Sequence, residues 1–363
     1  MRRRILCIVG TRPEAIKMAP VILSLRREAG VEARVVTTAQ HRDILDPVLS
    51  LFGIEADIDL DVMRPNQTLP ELTARLMTAC DGVLERESPD IILAQGDTTT
   101  VLVAALASFY RRIPFGHVEA GLRTGTMEAP FPEEMNRSLT TLMSRWHFAP
   151  TDRAALRLKS CGIPKEHIYV TGNPVIDALL MTATLGAPLN VDLDPQKRLI
   201  LVTAHRRESF GEPLREICSA LRALADRNAD VEILYPVHPN PSVAGVVQSE
   251  LANHPRIALC APLEYGAFVT AMKRSTLILT DSGGVQEEAP ALAKPVLVLR
   301  NETERPEAID AGVVKLVGPN RARIIEESEL LLKNAEAYAR MARGTSPYGD
   351  GRAAARITDV LLR

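Results

Sequence analysis

The chain predicts an α/β protein with two Rossmann-like, doubly wound parallel-sheet domains facing one another across a cleft. Three observations carry that expectation. Short runs of Val, Ile and Leu alternate with longer helical patterns through almost the whole sequence, and strands apolar on both faces, each followed by a helix, belong to parallel sheets covered on both sides. The alternation pauses at a Pro- and Asp-rich stretch around Pro188 to Pro195 and then restarts. At 363 residues the chain exceeds what one compact core supports and suits two domains.

The elements follow in order. Met-Arg-Arg-Arg and the apolar run Ile5 to Val9 imitate a signal peptide, but the run is short and passes directly into Gly-Thr-Arg-Pro-Glu, so it reads as a first strand. Ala33 to Thr37, Ile91 to Ala94, Pro114 to Val118 and His147 to Ala149 complete the first sheet. Leu199 to Thr203, Val231 to Val237, Arg256 to Leu259, Thr276 to Leu279 and Val296 to Leu299 predict the second. Ile324 to Ala342 reads as one helix and Gly351 to Arg363 as a last one crossing back to the first domain. The expected boundaries are 1–172 for an acid/base domain, 173–345 for a nucleotide-binding domain and 346–363 for the returning helix. Gly349-Asp350-Gly351-Arg352-Ala353-Ala354 imitates a dinucleotide fingerprint, but no strand precedes it, so no dinucleotide is expected.

Composition narrows the function. With 24% charged residues, 46% apolar residues and a net charge of −2, the sequence predicts neither disorder nor a polyanion-binding surface, so nucleic acid is not an expected partner. Five scattered cysteines without a C-x-x-C pair argue against a disulfide framework or a thiolate metal site and fit a reducing cytoplasm. His41, His147, His167 and His254 lack ligand spacing, and no metal site is expected. No apolar run approaches the roughly twenty residues of a membrane span.

The chemistry collects at strand ends. Thr280-Asp281-Ser282-Gly283-Gly284 closes an apolar strand and opens a helix, where free backbone N–H groups attract anions. Glu288, one helical turn later, is placed to accept two ribose hydroxyls. The segment therefore reads as a nucleoside-diphosphate seat, or as a strand-to-helix turn that uses glycine for geometry. Gly10-Thr11-Arg12-Pro13-Glu14 with Lys17 combines a loop glycine, a capping box and two cations. It reads as an anion site or as a well-capped helix with Glu14 and Lys17 paired on its surface. Asp97 in Gln95-Gly96-Asp97-Thr98 reads as a cleft carboxylate or as the N-cap of the helix that follows. Glu119 after His117-Val118, and Glu133 and Glu134 at a helix start, bring further acids to the same rim, which is how an acid/base site is assembled in this fold class. His205, Arg206 and Arg207 leave a strand end and suit a diphosphate, with Arg giving forked hydrogen bonds and His able to carry a proton to a leaving oxygen. His238 and Arg305 lie in further charged strand-end loops.

Seven motifs in order, at residues 10–14, 95–100, 117–123, 132–137, 205–208, 280–288 and 303–307, resemble the non-hydrolysing UDP-N-acetylglucosamine 2-epimerases over nearly the whole chain. The resemblance implies a GT-B-like fold, a homodimer, and interconversion of UDP-GlcNAc with UDP-ManNAc without a cofactor, supplying precursors for surface polysaccharide. It implies elimination of UDP to 2-acetamidoglucal followed by re-addition, with Asp97, Glu119, Glu133 and His205 as the catalytic set. Substrate binding falls to Arg12, Lys17, Arg137, His205, Phe268 near the uracil, Ser282, Gly283, Gly284, Glu288 and Arg305. In some relatives a second UDP-GlcNAc activates the enzyme, through residues resembling Gln40, His41, Gln67, Glu134, Arg206 and His238 here. Asp43 and Asn66 depart from the regulated pattern and predict weak or absent activation, whereas the departures at Ser209 and Leu263 leave the assignment intact. The rival readings are a GT-B glycosyltransferase, a hydrolysing epimerase and a UDP-sugar-binding regulator.

Overall fold

The computed structural model describes residues 2–38, 42–64 and 66–363, without the side chains of residues 42–44. It divides into two compact units, one of residues 1–178 with 348–363 and one of residues 179–347.

The first unit holds a seven-stranded sheet of β1 (Arg3–Val9), β2 (Val31–Thr37), β3 (Ile58–Asp59), β4 (Ile91–Gln95), β5 (Phe115–Val118), β6 (Trp146–Ala149) and β7 (Ile168–Val170). Their order is β3-β2-β1-β4-β5-β6-β7, every neighbouring pair parallel. Cys7 sits opposite Val35 on one side and Leu93 on the other, and Ile5, Leu6 and Val9 are completely buried, as the continuous apolar runs require. Helices α1 (Arg12–Arg26), α2 (Arg42–Leu51), α3 (Leu69–Glu87), α4 (Thr99–Tyr110), α5 (Glu133–Met143) and α6 (Asp152–Ser160) follow the strands, and α7 (Pro174–Leu185) carries the chain into the second unit.

The second unit repeats the plan. Strands β8 (Arg198–Thr203), β9 (Val231–Pro236), β10 (Ile257–Cys260), β11 (Leu277–Thr280), β12 (Val296–Val298) and β13 (Val314–Leu316) run in the order β10-β9-β8-β11-β12-β13, again all parallel. Their helices are α8 (Glu212–Arg227), α9 (Pro241–Leu251), α10 (Tyr265–Arg274), α11 (Gly283–Glu288), α12 (Pro306–Asp310), α13 (Arg321–Lys333) and α14 (Ala335–Met341). The single helix expected over Ile324 to Ala342 is thus two. Asn334 interrupts it because its side chain accepts the Ala337 amide at 2.9 Å, capping a new helix instead of continuing the old one. The last helix, α15 (Ala353–Leu362), returns to the first unit, where it lies on α1 with Ile357 and Leu361 buried and the Thr358 hydroxyl 2.9 Å from that of Ser24.

Three strands had no counterpart in the sequence reading: β3, β7 and β13. All three lie at sheet edges and span two or three residues, too few to show a periodicity. Short edge strands are the usual protection against edge-to-edge pairing.

In both units the strand order reverses beside the first strand, between β1 and β4 and between β8 and β11. Open parallel sheets bind ligands outside the C-terminal ends of the strands at such a reversal, because the loops there diverge and leave a crevice. The loops at these two points are Gly10–Thr11 and Gly96–Thr98 in the first unit, and Ala204–Arg206 and Asp281–Ser282 in the second. Each lies inside a motif already marked by its chemistry.

Candidate active site

In the first unit the two switch-point loops are stitched together by one carboxyl group. A Cβ at Gly10 would lie 2.6 Å from Thr100 Oγ1 and 2.8 Å from Thr38 Oγ1, so glycine is what lets the end of β1 approach the first turn of α4. Glu14 closes the capping box of α1 from inside, accepting the Gly10 amide at 2.5 Å and the Thr11 amide at 3.0 Å. It also accepts the Thr98 hydroxyl at 2.6 Å. Burial pushes the Glu14 carboxyl up to about 7 against the pull of these hydrogen bonds. Glu14 is therefore an interior group, and the surface pair with Lys17 considered from the sequence does not form. Thr98 is the N-cap of α4, its hydroxyl taking the Val101 amide, so the capping role weighed for Asp97 belongs to its neighbour.

Asp97 faces the acids instead. Burial raises its carboxyl above the ordinary range, Arg137 and Lys17 pull the other way, and Glu119 and Glu133 add to the rise. Arg137 Nη1 stands 3.3 Å from Asp97 Oδ2. The same guanidinium is held from behind by Glu134, with Nε at 2.8 Å and Nη2 at 2.7 Å. Glu134 also accepts the Thr124 amide at 3.0 Å. Burial disfavours its charge, but the Thr124 amide and Arg137 outweigh this and hold the carboxyl below the ordinary range.

Glu119 follows β5 with φ +63°, a left-handed conformation uncommon outside glycine. Three donors converge on its carboxylate: Lys17 Nζ at 2.7 Å from both oxygens, Asn173 Nδ2 at 2.7 Å from Oε1, and Gln95 Nε2 on Oε2. Glu133 opens α5, half-buried. His117 is 1% exposed and donates from Nε2 to the Gly96 carbonyl at 2.7 Å, fixing the loop just before Asp97. Burial drives its ring down to about 3, so it is a neutral strut.

The second unit is built around a buried carboxylate, that of Asp281. Asp281 Oδ2 accepts the backbone amides of His205 and Arg206, both at 2.7 Å, and the Ser209 hydroxyl at 3.4 Å. This pins the His-Arg-Arg loop to the end of β11 and stacks the His205 ring on that of His238, with centroids 5.2 Å apart. Burial lowers the proton affinity of His205; Asp281 opposes this, while His238 and Arg206 add to it, so the imidazole is neutral near pH 7. Behind α11, Thr303 donates to Gln286 at 2.6 Å, Gln286 donates to the Ser282 carbonyl at 3.1 Å, and Arg305 pairs with Glu287. These bonds hold the Arg305 guanidinium beside the opening glycines, 3.8 Å from where a Gly283 Cβ would lie. The Tyr265 hydroxyl orients Glu288 by donating to Oε1 at 2.7 Å, and Phe268 lies half-buried one turn further along α10.

The structure therefore joins Asp97, Glu119, Glu133, Glu134, Lys17 and Arg137 in one cluster, and His205, Arg206, His238, Ser282, Gly283 and Arg305 in another. Arg12 is exposed on the first turn of α1. Gln67 bonds within its own segment, accepting from the Arg64 amide and from Arg75. Gln40 and His41 lie outside the described residues. The sequence reading missed Gln95, Asn173, Tyr265 and the clamp at Asp281. The available signal was a polar side chain at the end of an apolar strand, where burial demands a partner.

Among the described residues, no group of His, Cys, Asp and Glu is arranged to hold a metal ion, and no helix is long and apolar enough to cross a membrane.

Comparison with known proteins converges on one family. The sequence model described as UDP-N-acetylglucosamine 2-epimerase matches residues 23–362. The UDP-N-acetylglucosamine 2-epimerase of Yersinia pestis is 50% identical, over 99% of this chain and 98% of that protein. Among solved structures, the Neisseria meningitidis UDP-GlcNAc 2-epimerase bound to UDP-GlcNAc superposes with a TM-score of 0.89 at 46% identity, covering 99% of both chains. S. aureus MnaA, solved with UDP, superposes with a TM-score of 0.86 at 44% identity, covering 98% of this chain and 94% of that one.

Proposed function

We propose that this chain, which belongs to the UDP-N-acetylglucosamine 2-epimerase family, interconverts UDP-GlcNAc and UDP-ManNAc by eliminating UDP and adding it back without releasing the sugar. The family membership supports the substrate. The carboxyl cluster of Asp97, Glu119 and Glu133 carries the mechanism.

The C2 proton of the sugar has no adjacent carbonyl to acidify it, so direct abstraction is slow. Breaking the C1–O bond to UDP develops positive charge at C1 and makes C2–H acidic; loss of that proton to a carboxylate gives 2-acetamidoglucal and UDP. Return of UDP to C1, with protonation of C2 from the opposite face, gives the epimer. Two faces require at least two acid/base groups, and the first unit supplies three carboxyls at two strand ends and a helix start. Burial of Asp97 raises its proton affinity toward the range in which a carboxyl both takes and returns a proton.

The second unit suits the leaving group. UDP departs with its terminal phosphate as a stabilised dianion and needs positioned donors more than a full proton; a neutral His205 supplies an N–H, Arg305 a forked donor, and the α11 glycines bare backbone. Glu288, oriented by Tyr265, takes the ribose hydroxyls and Phe268 lies by the uracil. On this reading the first unit, residues 1–178 with 348–363, forms the acid/base side and the second, residues 179–347, the UDP side, and the enzyme works as a cytoplasmic homodimer for surface polysaccharide synthesis without metal or redox cofactor.

Proton NMR of the purified chain with UDP-GlcNAc tests the proposal. The expected product is UDP-ManNAc at equilibrium with substrate. Free ManNAc and UDP accumulating in step would assign a hydrolysing epimerase, and an unchanged spectrum would leave a binder.

A further inference from the structure

We propose that Asn173 is a positioning residue for Glu119, turning the carboxylate to its working orientation; the inference rests on the epimerase reading, in which Glu119 takes part in proton transfer at C2. Thr171-Gly172-Asn173-Pro174 spans the domain boundary expected at residue 172, and Gly349-Asp350-Gly351-Arg352 reads as a false fingerprint. The structure brings these two segments together within the first unit. The Asn173 amide donates to the Tyr348 carbonyl at 2.6 Å, and Arg356 Nη1 donates to the Thr171 carbonyl at 3.0 Å. Gly172, at φ +86°, passes so close to the returning chain that a Cβ there would stand 3.3 Å from Gly349 Cα. The backbone of Asn173 is therefore pinned from both sides, and the residue is 1% exposed.

Its side chain is a planar amide used at both ends. Oδ1 accepts the Val175 amide at 3.1 Å, at the start of α7, and Nδ2 donates to Glu119 Oε1 at 2.7 Å. With the oxygen fixed by the helix start, the direction of the amide N–H follows from planarity, so the bond to Glu119 is pre-set by the backbone. On the other side, Gln95 at the end of β4 donates to Oε2. Lys17 reaches both oxygens equally at 2.7 Å and so supplies charge without choosing an orientation. The two amides, one on each oxygen, define the plane of the carboxylate. This restraint matters because Glu119 holds a left-handed backbone at φ +63°, a conformation that persists only where the surroundings over-determine it. Asp at 173 would keep the acceptor for Val175 and lose the donor. Ser would keep the cap and fall short of Glu119.

The test uses Asn173→Ser in the full chain, assayed by conversion of UDP-GlcNAc to UDP-ManNAc, alone and with Glu119→Gln. A carboxylate released from an orienting bond is expected to lower kcat roughly 10- to 100-fold while KM for UDP-GlcNAc stays within about twofold. In the Glu119→Gln background the Ser substitution is expected to cause no further loss. Wild-type kcat in Asn173→Ser would overturn the inference. So would a loss that adds undiminished to that of Glu119→Gln, since Asn173 would then act through the fold. If circular dichroism shows Asn173→Ser unfolded, Asn173→Asp, which keeps shape and cap, carries the same test: its kcat must fall, and wild-type turnover would overturn the inference. Failure of the epimerase reading is seen separately, as absence of UDP-ManNAc with the unsubstituted chain.

Discussion

The two sheets share one strand order and place their motifs at the same topological reversal, yet they fill it with opposite chemistry. At the β1/β4 reversal four carboxyls outnumber two cations, and each cation is drawn onto an acid: Lys17 onto Glu119, and Arg137 onto Glu134 and Asp97. At the β8/β11 reversal the buried carboxylate of Asp281 is taken up by backbone amides, which leaves His205 and the α11 glycines to present neutral or positive donors. On the proposed reading, one architecture serves as a proton-transfer rim in one unit and an anion seat in the other. Fold decides where chemistry occurs, and the residues at the strand ends decide which chemistry it is.

Substitutions can break that comparison. The largest effect is expected in the first unit. Asp97→Asn, Glu119→Gln and Glu133→Gln should each lower turnover roughly 10²- to 10⁴-fold while UDP binds as before in calorimetric titration. Normal turnover in all three would move the chemistry elsewhere.

Next comes Glu14, the carboxyl that stitches the first unit's two loops. Because its carboxyl is raised from 4.5 to about 7, its protonated form is the stable one in the fold. That contribution is present below pH 4.5 and is lost as pH rises through about 7. Urea unfolding at pH 4.5 and pH 8 should show the original chain losing about 3 kcal/mol relative to Glu14→Gln across that interval. A flat difference would mean that Glu14 is not buried as described.

Smaller changes are expected in the second unit. His205→Ala and Arg305→Ala should weaken UDP binding roughly 10- to 100-fold, the usual range for a hydrogen bond to a charged group, and lower turnover through KM first. An unchanged UDP affinity in both would contradict the anion seat. The smallest effect concerns regulation. The sequence departures at Asp43 and Asn66 lead the resemblance to imply weak or absent activation by a second nucleotide sugar, so a reaction started from UDP-ManNAc alone should run without a lag. A lag abolished by a trace of UDP-GlcNAc would show that activation survives.

Much of this was legible in the sequence because parallel strands buried on both faces cannot hide: Ile5 to Val9 and Leu199 to Val202 are apolar throughout and buried throughout. The edge strands β3, β7 and β13 were illegible, being two or three residues of mixed character whose pairing depends on neighbours distant in sequence. The acids were readable as strand-end polar residues, but their division of labour was not. Thr98 and Asp97 are adjacent and both able to cap a helix, and only the reach of Arg137 from α5 shows which one faces the cluster. Likewise Glu134 reads as one more acid at a helix start until its grip on Arg137 is seen.

The central claim, proton transfer at C2 by the carboxyls of the first unit while UDP is held, is tested most directly by incubating the chain with UDP-GlcNAc in heavy water and following C2 by proton NMR. Elimination and re-addition predict loss of the C2 proton signal from both UDP-GlcNAc and UDP-ManNAc, with only traces of free UDP. Formation of UDP-ManNAc that keeps its C2 protium would contradict the account.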